Sequence, residues 1–175
     1  GSVAKNEGSL FQNEYQWRLI KNRDDCNGLC VIYMGGGDPE KLVREFKATG
    51  IDQLLRPAWK SGQVLLAGSS AGAMALFWDM LRDGADARAE TELVVGMGPM
   101  GGAIVMPHWD KVDEHYKDKL ATDNEHMLII GIDENTALHW QNGVCSVLGV
   151  GTVEFKGRTR GIWHAGGGFG LRMAK

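Results

Sequence analysis

A chain of 175 residues with 43% hydrophobic side chains is long enough to bury one core, and its formal net charge of −3 gives no basic footprint for nucleic acid or an anionic membrane surface. No apolar run reaches the roughly 18–20 residues that cross a bilayer, and no signal peptide is visible, so neither a membrane nor a nucleic-acid partner is expected. The 3 cysteines, Cys26, Cys30 and Cys145, cannot all pair, and Cys26-x-x-x-Cys30 has no second ligand pair at zinc-finger distance. No metal, no cofactor and a reducing, cytoplasmic setting are the expectations.

In chain order, Gly1-Ser2 reads as a remnant of tag cleavage. Residues 1–27 are polar and mixed, with a weak helical pattern through Tyr15, Trp17, Leu19 and Ile20. Leu29 to Met34 is an uninterrupted apolar run, the signature of a buried strand. Gly35-Gly36-Gly37 ends it, and Asp38-Pro39 supplies an N-cap and a first helical residue. Leu42, Val43 and Phe46 keep helical spacing until Gly50 stops that helix. Ile51 to Lys60 reads as another helix with Leu54, Leu55, Ala58 and Trp59 inward. Val64 to Ala67 is a strand, and a helix is expected from Ala71 to about Arg82, followed by a charged loop over Asp83 to Thr91. The Gly- and Met-rich stretch Leu93 to Ile104 reads as short strands or loop. Val112 to Leu120 is a polar helix, and Met127 to Ile132 a clear buried strand. Ala137–Trp140, Val144–Val150 and Thr152–Phe155 read as an antiparallel meander turning at Gln141-Asn142-Gly143. The expected fold is a single α/β domain over residues 1–175, parallel strands first and a small antiparallel portion at the C-terminal end.

Gly68-Ser69-Ser70-Ala71-Gly72, placed between a strand and a helix, has the form of a nucleophile elbow. A serine there needs a base and a group that orients the base. Of the 5 histidines, His115 and His126 lie in charged surroundings and read as surface. His139 alternates within a strand, and His164 precedes a glycine run. His108 is favoured as base, because Pro107 restrains the loop that carries it. Asp83 and Asp86 follow the elbow helix, whereas Asp133 and Glu134 stand at the C-terminal end of a buried strand, where open α/β sheets keep their sites. Strand alternation does not choose between Asp133 and Glu134. The N–H groups of Gly35-Gly36-Gly37 can serve half of an oxyanion hole or cradle a phosphate. The P-loop lysine is absent, which weighs against the second.

Tyr33-Met34-Gly35-Gly36-Gly37, Gly68-Ser69-Ser70-Ala71-Gly72-Ala73, Pro107-His108 and Gly131-Ile132-Asp133-Glu134-Asn135-Thr136-Ala137 together resemble the S51 serine peptidases, the family of peptidase E and cyanophycinase. The resemblance covers roughly residues 29–150. It implies a class I glutamine amidotransferase-like fold: three layers, a mostly parallel sheet flanked by helices. It also implies hydrolysis of small peptides, after an N-terminal Asp or in cyanophycin, without a metal or cofactor. Carried over by motif, Ser70 is the nucleophile, His108 the general base and Glu134 its orienting acid. The oxyanion hole falls on Gly36, Gly37 and Ala71, and Asp83 matches an additional acid of some members. A basic residue that holds the substrate carboxylate has candidates in Lys111, Lys117 and Lys119. The chain departs from members at Asp38-Pro39, where they carry Asn-Thr or Asp-Gln, and residues 1–27 do not clearly supply their opening strand and helix, which suggests an incomplete or divergent N-terminal part. The chain order Ser–His–acid disfavours an α/β-hydrolase, which would run Ser70, Asp133 or Glu134, then His164. A catalytically inactive, amidotransferase-like binding module is the rival from another class. A small peptide is the expected partner, and an edge strand leaves room for a homodimer.

Overall fold

The computed structural model describes residues 31–62, 64–81, 93–98, 100–158, 161–164 and 166–170. The expectations placed on residues 1–27, on Cys26 and Cys30, and on Asp83, Asp86 and their loop lie outside these residues.

Strand β1 (Val31–Met34) and strand β2 (Leu65–Gly68) pair in parallel, Val31 opposite Leu65 and Met34 opposite Gly68. Parallel neighbours need a crossover, and helices α1 (Pro39–Thr49) and α2 (Asp52–Ser61) provide it. The start of α1 follows from its sequence: Asp38 Oδ1 accepts the Lys41 N–H at 2.9 Å, and Pro39 needs no partner for a missing N–H. Gly50 ends it at φ 70°, a left-handed cap that a side chain would strain. Both helices turn apolar residues to the sheet, Val43 from α1 and Leu55 from α2.

The helix after Ser70 is shorter than its composition suggests. Helix α3 spans only Ala71–Ala75, and the chain then becomes extended, with strand β3 (Asp79–Leu81) antiparallel to strand β4 (Leu93–Val95). Ala and Met favour a helix, but pairing overrides that preference. The Trp78 N–H donates to Met100 O, and Gly96 N–H to Trp78 O. Gly96 and Gly98 permit the approach, since a Cβ at either would lie 2.2 Å from Phe77 O or 1.4 Å from Leu76 O. Met80 and Leu81 are thereby sealed in the core.

Strands β5 (Ala103–Pro107) and β6 (Leu128–Ile132) are parallel, joined through helix α4 (Glu114–Asp123). Their apolar side chains from Ala103 to Met106 and Leu128 to Ile130 form the centre of the core. Strands β7 (Thr136–Gln141) and β8 (Val144–Gly149) make the expected hairpin, with Asn142 and Gly143 left-handed at φ 53° and 79°, the two-residue turn that suits twisted strands. The meander stops there. Strand β9 (Thr152–Gly157) leaves β8 and pairs antiparallel with β6, extending a sheet whose order is β10-β9-β6-β5 with strand β10 (Gly161–His164) at its edge. Strand β11 (Gly168–Gly170) adds to β8.

The result is mixed α/β, but the expected mostly parallel sheet is not what these pairings compose. Among the described residues β1–β2 and β5–β6 are parallel, and β3–β4, β6–β9, β9–β10, β7–β8 and β8–β11 are antiparallel, in four small sheets. The short connections from β7 to β8 and from β9 to β10 can only return a strand antiparallel, whereas β3–β4, β6–β9 and β8–β11 pair strands more distant in the chain. Among the described residues no helix is long and apolar enough to cross a membrane.

Candidate active site

Ser70 sits between β2 and α3 with φ 52° and ψ −122°, a conformation that a residue with a Cβ rarely holds and that costs about 1–3 kcal/mol. The flanking glycines make it attainable. A Cβ on Gly68 would lie 2.4 Å from Gly72 O, and one on Gly72 would lie 2.1 Å from Met34 O, so strand and helix touch backbone to backbone. The Ser69 N–H donating to Met34 O at 3.0 Å ties the turn to the end of β1. Gly36, just beyond that end, faces Ser70: a Cβ there would meet Ser70 Cβ at 3.2 Å. Gly37 follows at φ 138°, and Ala71 opens α3.

His108 stands where β5 ends, left-handed at φ 58° and ψ 34°. The single turn of 3-10 helix that follows, Trp109–Lys111, is closed by the Lys111 N–H donating to His108 O at 2.9 Å. Its anchor is Trp109, which is 2% exposed. The indole lies flat against Gly131 of β6, where an added Cβ would come within 2.2 Å of the ring, and its Nε1–H donates to Glu154 Oε2 at 2.6 Å. The Lys117 ammonium covers the ring at 5.0 Å from the centroid. Because the ring is held on several sides, Gly131→Ala is expected to overpack the site by about 1–3 kcal/mol and to push His108 out of place. Thermal melting and kcat together check this, and adding Trp109→Leu should recover part of the lost melting temperature but not the activity.

The two candidate acids at the end of β6 have separate partners. Asp133 Oδ2 accepts the Thr152 N–H at 2.8 Å and the Thr152 Oγ1–H at 2.6 Å, which fastens β9 to the end of β6. Glu134 Oε1 instead lies 2.7 Å from His108 Nδ1, and His108 Nε2 lies 3.0 Å from Ser70 Oγ. Ser70 is half-buried, while the side chains of His108 and Glu134 are 49% and 43% exposed. The structure thus brings Ser70, His108 and Glu134 into one hydrogen-bonded line, with Gly36 beside the hydroxyl.

Other residues resolve differently. His164 lies on β10 and His139 on β7, while His115 and His126 are exposed, and among the described residues the histidine hydrogen-bonded to Ser70 is His108. Lys117 pairs with Glu114 at 2.7 Å and Lys119 with Asp123 at 2.6 Å. Lys111 pairs with Asp110 at 3.0 Å. Burial pushes the Cys145 thiol up to about 11, which leaves it a packing group and not a nucleophile. Asp110 was not singled out in the sequence: its Oδ1 accepts the Glu134 N–H at 2.9 Å. The Glu134 N–H first and the Lys111 ammonium second hold its carboxyl below the usual carboxylate value. A polar residue two positions after the histidine was the only available signal.

The family model of Peptidase family S51 matches residues 20–148. The chain belongs to peptidase family S51. Within the family it is 33% identical over 114 residues to the uncharacterized peptidase YgaJ of Bacillus subtilis (strain 168), covering 64% of this chain and 47% of that protein. It is 31% identical over 134 residues to a cyanophycinase of Geminocystis herdmanii, covering 70% of this chain and 47% of the relative. The chain therefore spans about half the length of the curated relatives it matches. A crystal structure from Listeria monocytogenes EGD-e, of a protein provisionally named a peptidase E, superposes with a TM-score of 0.55 at 19% identity, covering 73% of this chain and 63% of that one. At that identity the likeness speaks for the fold alone.

Proposed function

We propose that the chain is a serine peptidase that hydrolyses short peptides through an acyl-enzyme on Ser70. The observation that carries this reading is the unbroken line from Ser70 Oγ through the His108 ring to Glu134 Oε1, with contacts of 3.0 and 2.7 Å. An ionised Glu134 can only accept, so the neutral ring carries its proton on Nδ1 and presents Nε2 to the Ser70 hydroxyl as acceptor. Ser70 Oγ then attacks a peptide carbonyl as its proton passes to His108 Nε2. The oxyanion is assigned to the N–H groups of Gly36, Gly37 and Ala71, a reading supported by Gly36 lying against Ser70 and by Ala71 opening α3 directly after it. As the carbon–nitrogen bond breaks, the His108 imidazolium gives its proton to the leaving amine. Water, deprotonated by His108, attacks the acyl ester, and the proton returns to Ser70 Oγ.

Dipeptides with an N-terminal Asp are the first candidate substrates, and cyanophycin the second, since several relatives are named cyanophycinases. The test is a panel of Asp-X dipeptides, other dipeptides and cyanophycin, with Ser70→Ala beside the wild type and a fluorophosphonate label as a second readout. Turnover of Asp-X that disappears in the variant supports the reading in full, and turnover of cyanophycin alone moves the substrate. A folded wild type that neither turns over any of these nor takes the label is a binding module, and the proposal fails.

A further inference from the structure

His108 and Glu134 follow the ends of two adjacent parallel strands, and the last pair in register is Pro107 opposite Ile132. Past that pair the ladder has ended and the chains part: His108 is left-handed, and so is Asn135 at φ 54°. On the other side β9 holds the chain one residue further, the Asp133 N–H donating to Thr152 O at 3.1 Å, but the Glu134 N–H that follows takes no strand carbonyl. We propose that Asp110 is a positioning residue that supplies the missing rung, its Oδ1 taking the Glu134 N–H at 2.9 Å while Lys111 Nζ holds its Oδ2 at 3.0 Å. The proposal rests on the peptidase reading above for its consequence in catalysis, though not for its geometry.

The base loop then grips the acid loop twice, once through His108 Nδ1 on the Glu134 carboxylate and once through Asp110 on the Glu134 backbone. The second grip matters because Glu134 is exposed and its side chain has several torsions to lose when it meets His108. A carboxylate acceptor makes the N–H bond charge-assisted, hence shorter and stronger than one to a neutral group. Because the Glu134 N–H and the Lys111 ammonium hold the Asp110 carboxyl below the usual carboxylate pKa, the clasp stays ionised as the medium becomes mildly acidic.

The test uses the full chain with Asp110→Ala and Asp110→Asn, following kcat and KM on a peptide the wild type cleaves. A second readout is the far-downfield proton resonance of His108 Nδ1–H, assigned by its loss in Glu134→Gln. Asp110→Ala is expected to lower kcat about 10- to 100-fold with KM nearly unchanged, because small misplacements of a reacting group cost that much, and to broaden the resonance away. Asp110→Asn keeps an oxygen for the Glu134 N–H and should retain both the resonance and kcat to within about threefold. A resonance and kcat untouched in Asp110→Ala overturn the clasp. So does an Asn variant as impaired as the Ala variant, which would make charge and not the N–H contact the determinant. A wild type that shows the resonance without hydrolysing any peptide defeats the peptidase reading instead, and the resonance in Asp110→Ala still decides the clasp.

Discussion

Ser70→Ala is expected to lower kcat on any peptide the chain cleaves by about 10⁴- to 10⁶-fold, and His108→Ala by a similar factor. The double variant should be scarcely worse than either single one. Oγ without its base is a poor nucleophile, and the base without Oγ has nothing to activate, so the second loss removes an interaction already gone. Single-turnover kinetics on the three variants would check this, and additive losses would mean that Ser70 and His108 act in separate steps. The backbone adds a control. Alanine at position 70 keeps a Cβ at φ 52°, whereas glycine has none to strain. Ser70→Gly should thus be equally inactive yet melt above Ser70→Ala, the difference measuring strain stored at the elbow. Equal melting temperatures would show that the turn is unstrained.

That strain explains which parts of the site were legible in the sequence. The elbow was readable because its geometry excludes side chains: Gly68 and Gly72 are demanded by contacts of 2.4 and 2.1 Å to backbone atoms that cannot move aside. The α1 boundaries were readable for a similar local reason, since Asp38, Pro39 and Gly50 act within a few residues of themselves. Elements set by distant partners were not. The helix expected to run to Arg82 stops at Ala75 because the strands around Trp78 find partners at Met100 and Gly96, which no local propensity encodes. The meander breaks at β9 because β6 offers a longer buried edge than β8, and that choice belongs to the core. Gly131 stood in a motif, but its reason, the Trp109 ring lying against it, joins residues that periodicity cannot connect. The site motifs pointed to the places, and tertiary pairing decided which neighbour each one met.

The choice between Asp133 and Glu134 shows the same division, and two substitutions with opposite signatures test it. Glu134→Gln is expected to lower kcat about 10³- to 10⁴-fold while leaving the melting temperature nearly unchanged. A glutamine amide can turn its NH₂ toward His108 Nδ1, which must then accept. The ring proton moves to Nε2, and the nitrogen facing Ser70 becomes a donor unable to take the hydroxyl proton. Asp133→Ala is expected to do the reverse. It removes the acceptor for both Thr152 donors, which have bonds of 2.8 and 2.6 Å, and loosens β9 from the end of β6. Hydrogen bonds to a charged acceptor contribute about 1.5–3 kcal/mol each net of the exchange with water, and partial exposure of this pair reduces that, so a fall in stability of about 2–4 kcal/mol is expected. Below its melting transition that variant should keep most of its kcat, because Glu134 is still clasped by Asp110 on its other side. Paired measurements of kcat and thermal stability on the two variants separate the roles. A large kcat loss in Asp133→Ala at a temperature where it remains folded would show that the strand end and the acid move as one, and that Glu134 is not positioned independently of its neighbour.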